Sequence, residues 1–221
     1  MANLIEIEGL IIKSVKFEES SRILTLLTRE RGQIQVAADR VRTNRGGYMK
    51  GTQLFSFSWF SLFKNHKTLY RMNNAESREY FAELREDLVK LAYAAYFADV
   101  AYQISNENVA DDGLLSLLLN TLHLLCKGNV AAEKLKAVYE LRAMTVAGFM
   151  PDVSCRRICD TEINETLCAA IEYITKSEAN KIFSFDMTGE MLNYLSSLSE
   201  NYVAAMIEKR LKTLDYLKNI I

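Results

Sequence analysis

The sequence predicts an α+β chain of two domains, a small closed β-barrel followed by an all-helical domain. Two observations carry this. Hydrophobic residues recur with period two up to about residue 76 and at three- and four-residue steps after it. Five of the nine glycines lie in the first 51 residues, where tight turns between short strands need them.

The elements follow in order. In IEIEGLIIK, Ile5, Ile7, Gly9 and Ile11 share one side of a strand and Glu6 and Glu8 the other. SRILTLLT (21–28) and GQIQVAA (32–38) are two strands joined by the hairpin-like turn RERG, which ends at Gly32. FSFSWFSLF is a fourth strand, with Phe55, Phe57, Trp59 and Phe63 on one face, predicted to be the barrel core. TLYRM (68–72) closes the set after the turn KNHK. Five strands in about 75 residues fit a closed barrel of the OB type. The barrel domain is placed at 1–78 and the helical domain at 79–221. Phe81, Leu84, Leu88, Leu91, Ala95 and Ala98 mark the first helix. A second spans about 111–126, capped by Asp111 or Asp112 and stopped by Gly128; a third spans about 130–147 and ends at Gly148. Pro151, the one proline, marks a break, and shorter helices are predicted around 162–175, 188–198 and 200–218.

Charge is divided between the two parts. Residues 1–78 hold 13 Lys and Arg against 7 Asp and Glu, and residues 79–221 hold 14 against 21. The halves, +6 and −7, give the net −1. A basic front and an acidic back suit two surfaces with different partners. No apolar run approaches the ~20 residues of a membrane span, and the start lacks a basic stretch leading into an apolar one. The chain is read as cytoplasmic, with reduced cysteines and no membrane partner.

Catalytic motifs are missing. His66 lies in a basic turn and His123 in mid-helix, neither in a nucleophile setting, and there is no P-loop, GxGxxG or HExxH. The chain is read as no enzyme. CRRIC places Cys155 and Cys159 four positions apart and Cys168 follows, but Ala170 and Ile171 stand where a fourth zinc ligand belongs. No cofactor is expected; if zinc is held, Cys155, Cys159 and Cys168 are its ligands. His123 and Cys126 complete such a set only if the fold happens to bring them there.

The distinctive segment is ADRVRTNRGGYMKG (38–51). Between Asp39 and Glu76 there is no acidic residue, while Arg40, Arg42, Arg45, Lys50, Lys64, Lys67 and Arg71 all fall there. Cations on strand ends and on a glycine-bearing loop suit a phosphate backbone, since such contacts are blind to sequence. These seven are the candidate DNA-binding residues, with Tyr48 as a candidate stacking side chain. Any polyanion fits the same chemistry.

Several stretches resemble the RecO family of bacterial recombination mediators. EGLIIKSVKFEESSRILTLLTRERGQIQVAA is similar to its opening strands, and AESREYFAELREDLVKLAYAAYFADV to its entry into the helical domain. YELRAMTVAGFMPDVSCRRIC is similar to its ELR helix and the start of its zinc module, and KRLKTLDYLK to its closing pattern. There are departures. Where the family commonly has Lys-Gly-Ala-Arg-Arg, this chain has Asp39-Arg40-Val41-Arg42-Thr43, and the cysteine module (about 150–170) is truncated.

The resemblance implies an N-terminal OB-fold and a C-terminal helical domain. It implies binding of single- and double-stranded DNA, annealing of complementary strands, and work with RecR to load RecA onto DNA coated by single-stranded DNA-binding protein (SSB). It implies residence in the bacterial cytoplasm, at the nucleoid during repair, and capture of the SSB C-terminal tail, for which Arg142 is the candidate contact. A generic RNA-binding factor and a protein-binding adaptor are the alternative readings.

Overall fold

The computed structural model describes residues 3–17, 19, 21–39, 50–64, 69–159 and 161–221. The chain divides into two compact units, Met1–Leu88 with Ser105–Leu115 and Val89–Ile104 with Ser116–Ile221.

The first unit is a closed five-stranded barrel in the order β1-β2-β3-β5-β4. Its strands are β1 (Asn3–Lys16), β2 (Arg22–Thr28), β3 (Gly32–Ala38), β4 (Phe57–Lys64) and β5 (Tyr70–Glu79). The long β1 closes the barrel by pairing with β4 through its first half and β2 through its second. Gly9 sits where the two pairings overlap. A Cβ there would come within 2.9 Å of the Thr28 methyl, so the crossover needs glycine. A short parallel pairing, Val36 with Tyr70 and Ala37 with Arg71, completes the ring.

The interior holds Ile7, Ile11, Leu24, Leu26, Ile34, Val36, Phe60, Leu62, Tyr70 and Met72. The alternation in β1 therefore points as expected. In β4 it does not. Phe60 and Leu62 face inward, whereas Phe57, Trp59 and Phe63 lie on the outer face, partly exposed. Phe55 precedes the strand, buried at a positive φ of 64°. Both faces of FSFSWFSLF are rich in apolar residues, so period two could not tell them apart. Pairing with β1 and β5 fixes the parity. Ser58, carried inward with Phe60, is satisfied by donating to the Gly51 carbonyl at 2.9 Å.

β5 runs to Glu79, further than predicted, because its second half pairs with β4 (Trp59 opposite Glu76, Phe57 opposite Glu79). The β2–β3 turn is held by residues 105–112. Gln33 donates its backbone N–H to the Asn106 carbonyl, Asp111 donates to the Arg29 carbonyl, and Arg29 pairs with Asp112 at 2.8 Å. Gly32 has φ +52°, and a Cβ on it would lie 2.1 Å from the Val109 carbonyl oxygen.

The helices are α1 (Glu83–Glu86), α2 (Leu88–Ile104), α3 (Asp112–Lys127), α4 (Ala132–Val146), α5 (Glu165–Lys176), α6 (Gly189–Ile207) and α7 (Lys212–Lys218). A two-strand hairpin, β6 (Arg157–Ile158) and β7 (Thr161–Glu162), separates α4 from α5. The predicted caps are in place. The Asp111 carboxylate accepts from the Leu114 N–H at 2.9 Å, and Gly128 and Gly148 take φ of 68° and 89° after α3 and α4. Among the described residues no helix is long and apolar enough to cross a membrane.

In the second unit α4 packs against α5 and α6 and meets α2 through large aromatic side chains. The Phe97 and Tyr139 rings meet at a tilt of 46° with centroids 4.7 Å apart, and the Tyr139 hydroxyl donates to the Phe97 carbonyl. Among these helices sits Glu140, fully buried. It accepts from the Tyr96 and Ser199 hydroxyls, each at 2.5 Å, and lies 2.9 Å from the Lys136 ammonium. Burial lifts its carboxyl above the usual range, against the pull of Lys136, Ser199 and Tyr96. Lys136, itself buried, also lies 3.1 Å from Glu200, which pairs with Lys218. The Lys136 ammonium is at ion-pair distance from both carboxylates but off the directions of a hydrogen bond. The cluster thus ties α2, α4, α6 and α7 together.

Candidate nucleic-acid interface

Of the seven predicted DNA-binding residues, Lys50, Lys64 and Arg71 are described; Arg40, Arg42, Arg45 and Lys67, like Tyr48 and His66, lie outside the described residues. Lys64 and Arg71 are brought to the same end of the barrel, on opposite faces of the sheet. Lys64 ends β4 opposite Tyr70, with its ammonium 5.9 Å from the centre of the Tyr70 ring, and Arg71 follows opposite Phe63. Ala37 of β3 is the other neighbour of Arg71. Lys50 stands apart, with its ammonium 5.7 Å from the Tyr80 ring, near the Phe57–Glu79 end of β4. That end is seven residues from Lys64, roughly 23 Å along the strand. The track is therefore not one cluster.

The register adds two cations outside the acid-free window. Lys16 stands directly opposite Arg22 across β1 and β2, and Arg22 is opposite Ala38 of β3. Lys16, Arg22, Lys64 and Arg71 thus lie at one end of the barrel, with Arg71 on its outer face. Two cations placed opposite each other repel, which an anionic ligand would relieve. Arg22 is steadied by donating to the Ser14 hydroxyl at 3.1 Å. Lys16 and Arg22 were missed because Glu18 and Glu19 lie between them in sequence; only the hairpin pairing shows that they are neighbours.

Asp39 is the carboxylate within this group. Its Oδ2 accepts from Arg71 Nε at 3.0 Å and lies 2.9 Å from the second guanidinium nitrogen, and its Oδ1 accepts from the Ser21 hydroxyl at 3.3 Å. Both partners are largely exposed, so the pair is weak and can be displaced.

Arg142 lies half-buried on α4, and one terminal nitrogen donates to the Ile174 carbonyl at 3.3 Å and to the Thr175 carbonyl. These are the last carbonyls of α5, which a cation suits. Glu140, on the same helix, is taken by Lys136. Thr175 also lines a cleft of about 570 Å³, with Met150, Pro151, Arg156, Cys168 and Lys176.

No three His, Cys, Asp or Glu among the described residues are grouped to hold a metal. Cys155 and Cys159 are exposed beside the β6–β7 hairpin and Cys168 is half-buried on α5. The Cys155 thiol points to the Arg157 carbonyl at 3.3 Å. The residues do not form a tetrahedral thiolate set.

A closed OB-type barrel with a cationic end, followed by a helical unit, defines the class: an OB-fold protein with a helical extension. The family models that match are "Recombination protein O N terminal" over residues 1–81 and "Recombination protein O C terminal" over residues 85–213. The chain belongs to the RecO family. Its relatives include the DNA repair protein RecO of Acetivibrio thermocellus, 29% identical over 99% of this chain and 98% of the relative. That of Alkaliphilus metalliredigens is 34% identical over 73% of this chain and 65% of the relative. That of Symbiobacterium thermophilum is 26% identical over 98% of each.

Proposed function

We propose that this chain is a non-enzymatic DNA-repair mediator. It binds single- and double-stranded DNA, anneals complementary strands and, with RecR, assists RecA onto strands coated by SSB. Membership of the RecO family supports a role in repair, and the four cations brought to one end of the barrel are the observation that carries DNA binding. Annealing forms and breaks no covalent bond. It needs phosphate repulsion screened and bases left free to pair, and exposed lysine and arginine side chains do both. Arg40, Arg42, Arg45 and Lys67 extend the contact in this reading, with Lys50 as a separate anchor.

The test is binding to several oligonucleotides over a salt series, with annealing of labelled complementary strands in parallel. Each lost phosphate contact on a single strand flattens the log–log salt slope by about 0.7, so Lys16/Arg22/Lys64→Ala flattens it by about 2. The same measurement on Arg40/Arg42/Arg45→Ala tests the glycine-bearing segment. A folded variant with wild-type slope removes those residues. Binding without annealing favours the RNA-binding alternative, and no binding near physiological salt favours the adaptor.

Arg142 is proposed as the contact for the SSB tail. The adjoining cleft offers apolar side chains, Met150, Pro151, Val153 and Ile171, while its cations Arg156 and Lys176 are paired with Glu165 and Glu172, so the reading rests on the Arg142 guanidinium itself. Arg142→Ala is expected to weaken tail-peptide binding while leaving naked-DNA binding intact. Because Arg142 also holds the end of α5, thermal stability must be measured alongside.

A further inference from the structure

The outer face of β1, β4 and β5 differs in charge from the β3–β5 junction. Its successive rungs are Glu6–Ser61–Asn74, Glu8–Trp59–Glu76 and Leu10–Phe57–Glu79. Trp59, the single tryptophan of the chain, is half-buried at the centre, and a carboxylate stands exposed on either side of it. Arg78 reaches both, but only at 3.5 Å from Glu8 and 3.6 Å from Glu76. With Glu6 and Glu79, these rungs carry four carboxylates; Glu79 accepts from the Tyr80 and Phe81 N–H groups, and Arg78 is the guanidinium facing Glu8 and Glu76. Such a face repels phosphates and draws in cations. An indole between two carboxylates suits a guanidinium above all, which stacks on the ring and hydrogen-bonds to the acids in one pose.

We propose that the Trp59 face docks an arginine-bearing segment of a partner protein. The features that would recognise it, an indole and two carboxylates, are side-chain groups, so the partner engages through side chains. Glu8 and Glu76 flank β4 at two strand spacings, about 9–10 Å, which sets the separation of the cations that engage both. The barrel then has two working faces, one at the cationic end and one for protein, and the second stands whether or not the first binds DNA.

Trp59 reports on its own site. The full chain is titrated with a short peptide of alternating arginine and leucine, and with the same peptide carrying citrulline in place of arginine, while Trp59 emission is followed. The arginine peptide is expected to give a saturable change and the citrulline peptide none. Glu8→Gln/Glu76→Gln, exposed substitutions that leave the core intact, should weaken binding about tenfold. No response, or an equal response to both peptides, overturns the proposal. So does an oligonucleotide response that grows in the Glu8→Gln/Glu76→Gln variant, which would make this a base-stacking face. A change on simple dilution of the protein assigns the face to a second copy and overturns it too.

Discussion

Replacing Asp39 by asparagine is expected to tighten DNA binding. Among the described residues Asp39 is the carboxylate in contact with a junction cation, and it holds two nitrogens of Arg71 on a single oxygen. A phosphate that uses Arg71 must first displace this pair, which at its exposure is worth about 0.2–1 kcal/mol. It must also approach a like charge. At about 6 Å in water that repulsion is about 0.7 kcal/mol, roughly halved by a Debye length of about 8 Å. Together these come to about 0.5–1.3 kcal/mol, so Asp39→Asn should raise affinity for single strands about two- to tenfold. Freeing Arg71 for one more phosphate should steepen the salt slope by about 0.7. Asparagine keeps the acceptor for Ser21, so stability changes little. The assay is fluorescence anisotropy with a labelled oligonucleotide across salt, on wild type, Asp39→Asn, Arg71→Ala and the double variant. If Arg71 mediates the pair's share of the gain, the double variant falls back to within the repulsion share, about 0.3 kcal/mol, of Arg71→Ala. Unchanged or weaker binding by folded Asp39→Asn would refute the reasoning and move DNA away from the β3–β5 junction.

Glu140→Ala leaves Lys136 buried with only Glu200 beside it and takes the acceptor from Tyr96 and Ser199, so a loss of about 3–5 kcal/mol is expected in urea unfolding. Burial alone would raise the Glu200 carboxyl, but the hydrogen bond from Lys218 and the charge of Lys136 outweigh it and hold it below its ordinary value of 4.5. A carboxyl lowered in the fold adds stability above that value and loses it as the pH falls through the folded one. Thermal melts of Glu200→Gln should therefore fall less steeply on acidification than those of wild type. Elemental analysis of protein purified without chelator should find substoichiometric zinc, and one tightly held ion per chain would instead implicate Cys155, Cys159 and Cys168.

What the sequence determined by itself is whatever short-range physics sets. The alternation of Ile5, Ile7 and Ile11 against Glu6 and Glu8 named the inner face of β1, because the two glutamates mark the opposite side there as facing water. Asp111, Gly128 and Gly148 marked helix ends, since caps and positive φ depend on residues within a turn of one another. RERG marked the β2–β3 turn in the same way. Tertiary structure decided whatever needed two distant segments in register. β4 is apolar on both sides, so its pairing with β1 and β5 chose Phe60 and Leu62 for the core and turned Trp59 outward between Glu8 and Glu76. Lys16 and Arg22 joined Lys64 and Arg71 only through strand pairing, while Lys50, closer in sequence to Lys64, was left at the far end of β4. Asp39 met Arg71 across 32 residues, and Glu140 met Ser199 across 59. Side-chain period fixes which residues share a face of one element. Which charges face each other depends on where the chain returns, and that is set by the closure of the barrel and the packing of the helices.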